Sequence, residues 1–133
     1  MTTAARQDLR KRTKDYALRI LKLYGALPKT TVAQVLGKQI LRSGTSVGAQ
    51  YREACRAKSN ADFISKIEGA LQELDESLYW LELIAESKIM SATRLGALVR
   101  ETNELIGMFV TMAKGIKQRK AGVVIPHPSA LIP

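Results

Sequence analysis

At 133 residues the chain is long enough for one ordinary domain, and its single cysteine excludes an internal disulfide framework. Apolar residues make up 46% of the sequence but aromatics only 5%, so a core of Leu, Ile, Val and Ala is expected, which favours helices over a β-sandwich. The formal net charge of +9 suits polyanionic partners, and with no apolar run long enough for a membrane span or a secretory signal, a cytoplasmic protein is expected.

Leu9, Tyr16, Ile20, Leu23 and Leu27 recur at helical spacing until Pro28 stops the run, which predicts a first helix over about residues 8–27. Thr30 or Thr31 can cap a second, over 31–56, in which Leu36, Ile40, Ser43, Val47, Tyr51 and Ala54 keep one seam. Ser59 and Asn60 open a third over 60–87, with Phe63, Ile67, Ala70, Leu74, Leu78, Leu81 and Ala85 on its seam. After Ser91 a fourth runs over 92–118, marked by Leu95, Leu98, Leu105, Phe109, Met112 and Ile116. Four amphipathic helices with short connections pack most simply as an all-α, antiparallel up-down-up-down four-helix bundle spanning residues 1–118. Residues 119–133 are basic and then rich in proline, and read as a flexible tail.

Charge is unevenly placed. Residues 1–58 hold 13 Lys and Arg against 3 Asp and Glu, whereas residues 59–87 hold 1 against 7. On a helical wheel Lys38, Arg42, Arg52 and Arg56 fall within about 40° of one line, opposite the seam of the second helix. With Lys58 in the next loop they form a stripe able to follow a phosphate backbone, or an ordinary solvated face. Gly44 and Gly48 share a flank of the same helix, where a second backbone can approach closely, either within the chain or in an oligomer interface. On the third helix Glu68, Asp75 and Glu82 repeat every seven residues beside Glu86, an acidic stripe that calls for a basic neighbour on helix one, helix two or another subunit. Trp80 projects from the other flank, near Glu73 and Glu76, either as an interface anchor or as cover for the bundle edge.

Enzyme chemistry finds no support in these residues. A di-iron bundle needs Glu-x-x-His pairs, but the one histidine, His127, lies between two prolines. Cys55 lacks a histidine base, and the run Gly44-Thr45-Ser46-Val47-Gly48 lacks the lysine of a phosphate loop. Glu53, Glu73 and Glu76 are read as salt-bridged or solvated acids. No catalytic residue, metal or cofactor is therefore expected.

The run Arg42-Ser43-Gly44-Thr45-Ser46-Val47-Gly48-Ala49-Gln50-Tyr51-Arg52-Glu53-Ala54, continued by Arg56-Ala57-Lys58-Ser59-Asn60-Ala61-Asp62-Phe63, resembles the bacterial four-helix-bundle proteins encoded in ribosomal-RNA intervening sequences. Lys66, Glu68-Gly69-Ala70, Glu73-Leu74-Asp75-Glu76-Ser77 and Trp80-Leu81 fit too, so the resemblance covers about residues 10–118. That family looks related to the accessory variability proteins of diversity-generating retroelements, basic pentameric barrels that contact reverse transcriptase and nucleic acid. The resemblance therefore implies a homo-oligomer, with a pentamer favoured, and RNA, DNA or a reverse transcriptase as partner. The expectation from the residues and the resemblance together is a non-catalytic oligomeric bundle that binds nucleic acid through Lys38, Arg42, Arg52, Arg56 and Lys58. Gly44, Gly48 and Trp80 would then lie at subunit contacts. The alternative is a protein-interaction scaffold in which the same charges pair with acidic helices.

Overall fold

The computed structural model describes residues 2–120, with side chains as far as Gln118. Four helices follow in order: α1 (Thr3–Ala26), α2 (Thr31–Cys55), α3 (Asn60–Glu86) and α4 (Ala92–Lys120). Each start has a local cause. The Thr2, Thr30 and Ser59 side chains accept from the amides of Ala5, Ala33 and Asp62, and Ser91 Oγ accepts from the Arg94 amide. The cap at Thr2 is why α1 begins five residues before the first apolar seam position would place it. Arg119 and Lys120 extend α4, and the rest of the expected tail lies outside the described residues.

The helices pack in the expected up-down order, α1 on α2, α2 on α3 and α3 on α4, with α4 closing more sparsely on α1. The core is aliphatic: Leu9, Ile20, Ile40, Ile67, Leu74, Leu81, Ile84, Leu95 and Leu105 are fully buried, with Tyr51 stacked on Phe109 at 5.7 Å between centroids. At mid-height every helix contributes one buried hydroxyl. Tyr16 of α1 shares a 2.7 Å hydrogen bond with Thr102 of α4, and Ser43 of α2 shares one of 2.8 Å with Ser77 of α3. Thr102 and Ser77 donate back to the Leu98 and Glu73 carbonyls, which leaves Tyr16 and Ser43 as the donors across the bundle, so no hydroxyl in this layer is orphaned.

Two clasps flank that layer. Arg12 of α1 reaches Glu101 and Glu104 of α4 at 2.7 and 2.9 Å, and Arg42 of α2 reaches Glu73 and Glu76 of α3 at 2.9 and 2.7 Å. In both, a guanidinium fork spans two carboxylates one helical turn apart, the spacing an i, i+3 pair supplies.

Candidate nucleic-acid interface

Three glycines of α2 lie against α1. A Cβ on Gly37 would stand 2.7 Å from Leu27 Cδ1, on Gly44 2.6 Å from Ile20 Cγ1, and on Gly48 3.2 Å from Thr13 Oγ1. Gly44 and Gly48 are therefore spent on close packing inside the chain. This corrects their placement at an oligomer contact, since both are buried beneath α1.

Close approach brings two cationic rows together over the α1–α2 groove. From α1 come Arg6, Arg10 and Lys14, one helical turn apart; from α2 and its following turn come Arg52, Arg56 and Lys58. Lys14 and Arg52 line one cavity of about 310 Å³ whose floor is Ala17, Gly48 and Ala49. Arg6 and Lys58 line a second of about 330 Å³ at the α2–α3 turn. The α1 row also acts on α2 electrostatically. Burial pushes the Tyr51 phenol far above its ordinary value of 10, the neighbouring Cys55 adds to the rise, and Arg6 and Arg10 stand close enough to oppose it.

None of these six cations forms an ion pair with another described residue, and neither does Lys38. Lys38 is exposed nearer the opposite end of α2, apart from the two cavities. Of the predicted stripe, Arg52 and Lys58 line these cavities, Arg56 is exposed one turn beyond Arg52 and lines neither, and Arg42 is turned elsewhere. Its guanidinium is turned onto Glu73, a buried carboxylate whose charge needs a partner, and onto Glu76. Helical position alone cannot say which flank of α2 meets an acidic helix, and that choice removes Arg42.

The apolar seam of α1 does not single out its cationic row. Arg6, Arg10 and Lys14 follow an i, i+4, i+8 spacing in the sequence, a signal that would have found them.

The acidic stripe meets a different neighbour from the one expected. Glu68 pairs with Lys117 of α4 at 3.0 Å, and Asp75, Glu82 and Glu86 are exposed without an ion pair among the described residues. Glu53 pairs with Lys66 at 3.2 Å, so Glu53, Glu73 and Glu76 are each salt-bridged. Trp80 packs partly against the core, edge-on to an exposed Tyr79 at 5.1 Å, and its Nε1 is buried with no hydrogen-bond partner among the described residues. No described helix is long and apolar enough to cross a membrane.

The model of a family described as 23S rRNA-intervening sequence protein matches residues 6–111. Among solved structures the chain is similar to a protein of unknown function from the S23 ribosomal protein family of Bacteroides thetaiotaomicron. The two share 35% identity over 83% of this chain and 98% of that one, with a TM-score of 0.77. A search of curated proteins finds no match.

Proposed function

The chain belongs to the 23S rRNA-intervening sequence protein family, and from that premise we propose that it is a non-catalytic module whose α1–α2 face holds RNA or DNA by the phosphate backbone. One observation carries this reading: a glycine seam sets α1 against α2, and the six cations of α1, α2 and the turn after it form no ion pair among the described residues. Confining so much like charge to one face raises the local potential and costs self-repulsion, which a bound polyanion relieves. Counterion release from the nucleic acid then drives association. Structured RNA is the first ligand to test, because the family description ties its members to an intervening sequence of 23S rRNA.

The experiment compares Arg52→Glu/Arg56→Glu with Arg42→Glu in gel-shift titrations of a labelled RNA hairpin. The first pair is expected to abolish binding with the fold intact. Arg42→Glu is expected to lower stability and leave affinity within a few-fold of the parent, because that guanidinium already serves Glu73. Equal loss of affinity in both would count against the face proposed.

Self-association is a second reading, favoured by Tyr79. This side chain is 53% exposed beside Trp80, with Asp75 and Glu82 exposed on the same helix. An aromatic anchor rimmed by acids suits the basic α1–α2 face of another copy or a basic partner protein. Tyr79→Ser should lower the mass measured by light scattering if this surface joins subunits, and an unchanged mass would reject it.

A further inference from the structure

We infer that the cavity at the α2–α3 turn is an end pocket, which receives the phosphorylated terminus of a strand lying in the α1–α2 groove. The inference rests on the groove's being a nucleic-acid surface and adds where the strand stops and what chemistry stops it.

The cationic track has a direction. From Lys14 to Arg6 is eight residues of α1, two turns or about 12 Å, and Arg10 stands midway; on α2, Arg52 and Arg56 keep pace one turn apart. The track begins at the open cavity between Lys14 and Arg52 and runs into the second cavity, of about 330 Å³. There Ala57, Lys58 and Ser59 of the turn joining α2 to α3 form part of the wall. That cavity is lined by Arg6, Lys58, Ser59, Asn60, Cys55 and Phe63.

The lining suits a terminal nucleotide. Arg6 presents a planar fork and Lys58 a mobile ammonium, and both are exposed and without an ion pair among the described residues. Asn60 adds an amide donor, and Phe63 with Cys55 supplies an apolar wall for the last base or sugar. The cavity sits at the start of α3, whose positive dipole end adds to the same field. Asp62, the acid of that first turn, is not part of the lining. A phosphodiester carries one negative charge, whereas a terminal phosphomonoester carries about 1.5 to 2 at neutral pH, so two converging cations select an end over an internal phosphate.

The test uses the full chain and one RNA sequence made in three forms: 5′-phosphate, 3′-phosphate, and hydroxyl at both ends. Affinities are read by fluorescence anisotropy of an internal label at two salt concentrations. At least one phosphorylated form is expected to bind about tenfold tighter than the hydroxyl form, the size of one charge-assisted contact. The doubly substituted Arg6→Ala/Lys58→Ala protein, its helicity checked by circular dichroism, is expected to bind all three forms alike. Equal affinity of the three forms for the parent protein would overturn the end pocket and leave the groove standing. Salt-insensitive binding, or no binding of any form, would overturn both. A terminal-phosphate preference that survives in the double variant would place the phosphate elsewhere and also reject the pocket.

Discussion

Whether a residue works for the fold or for the surface depends on what it touches, and glycine makes the point most clearly. Gly44 and Gly107 both occupy helix interiors, where alanine is preferred by about 1 kcal/mol. Nothing stands within 4 Å of a Cβ on Gly107, so Gly107→Ala should stabilise the protein by roughly 0.5–1 kcal/mol. A Cβ on Gly44 meets the fully buried, β-branched Ile20, so Gly44→Ala should destabilise it by about 1–3 kcal/mol despite the propensity gain. Urea denaturation of both variants checks the opposite signs. Arg42, which closes a clasp, and Arg56, which pairs with no described residue, follow the same rule. Arg42→Ala strands a buried Glu73 and should cost about 1 kcal/mol, the upper end for a pair whose cation is half exposed, whereas Arg56→Ala should leave the denaturation midpoint unchanged. In the sequence Arg42 and Arg56 are indistinguishable members of one stripe. Their partners are on other elements, and only packing separates them.

The helices themselves were legible because each carries a regular, mainly apolar seam and a capping hydroxyl, so the helix ends fall within a few residues of expectation except at the start of α1. Seam membership was less legible wherever the buried atom is polar. Ser77 and Thr102 are fully buried at seam spacing, between Leu74 and Leu81 and between Leu98 and Leu105, yet a seam drawn from apolar residues alone skips them; their burial is made tolerable by hydroxyls that bond across to Ser43 and Tyr16 and back to the Glu73 and Leu98 carbonyls. Tyr16 of α1 and Tyr51 of α2 carry a pH signature of this burial. Loss of solvent raises both phenols above their ordinary value of 10. A group held more tightly protonated in the folded state contributes stability that is complete below pH 10 and fades as pH climbs above it toward the folded value. Thermal melts from pH 8 to 11.5 should therefore show a steepening loss above pH 10, with Tyr16→Phe less stable by about 1 kcal/mol at pH 8 but flatter across the alkaline range. A parent protein with no extra alkaline loss over Tyr16→Phe would contradict the assignment.

For the whole molecule, the segregation of charge along the chain turns into segregation of charge over the bundle. The basic first half folds into adjacent helices α1 and α2, and the acidic segment becomes α3, which answers the bundle's own cations through Glu68, Glu73 and Glu76 and leaves Asp75, Glu82 and Glu86 exposed. The net basic half was legible from composition alone. The site was half legible, because a stripe on one helix is a projection of a groove made by two: the α1 row can be read from its own spacing, but that it lies beside α2 follows only once Gly37, Gly44 and Gly48 set α1 against α2. The most direct test is the salt dependence of RNA binding by the parent protein beside Arg10→Ala and Arg52→Ala, one from each row. Log affinity should fall linearly with log salt, and each substitution should reduce the slope by roughly one while leaving the fold unchanged. A slope near zero in the parent, or a slope unaltered by both substitutions, would contradict a phosphate-binding face between α1 and α2.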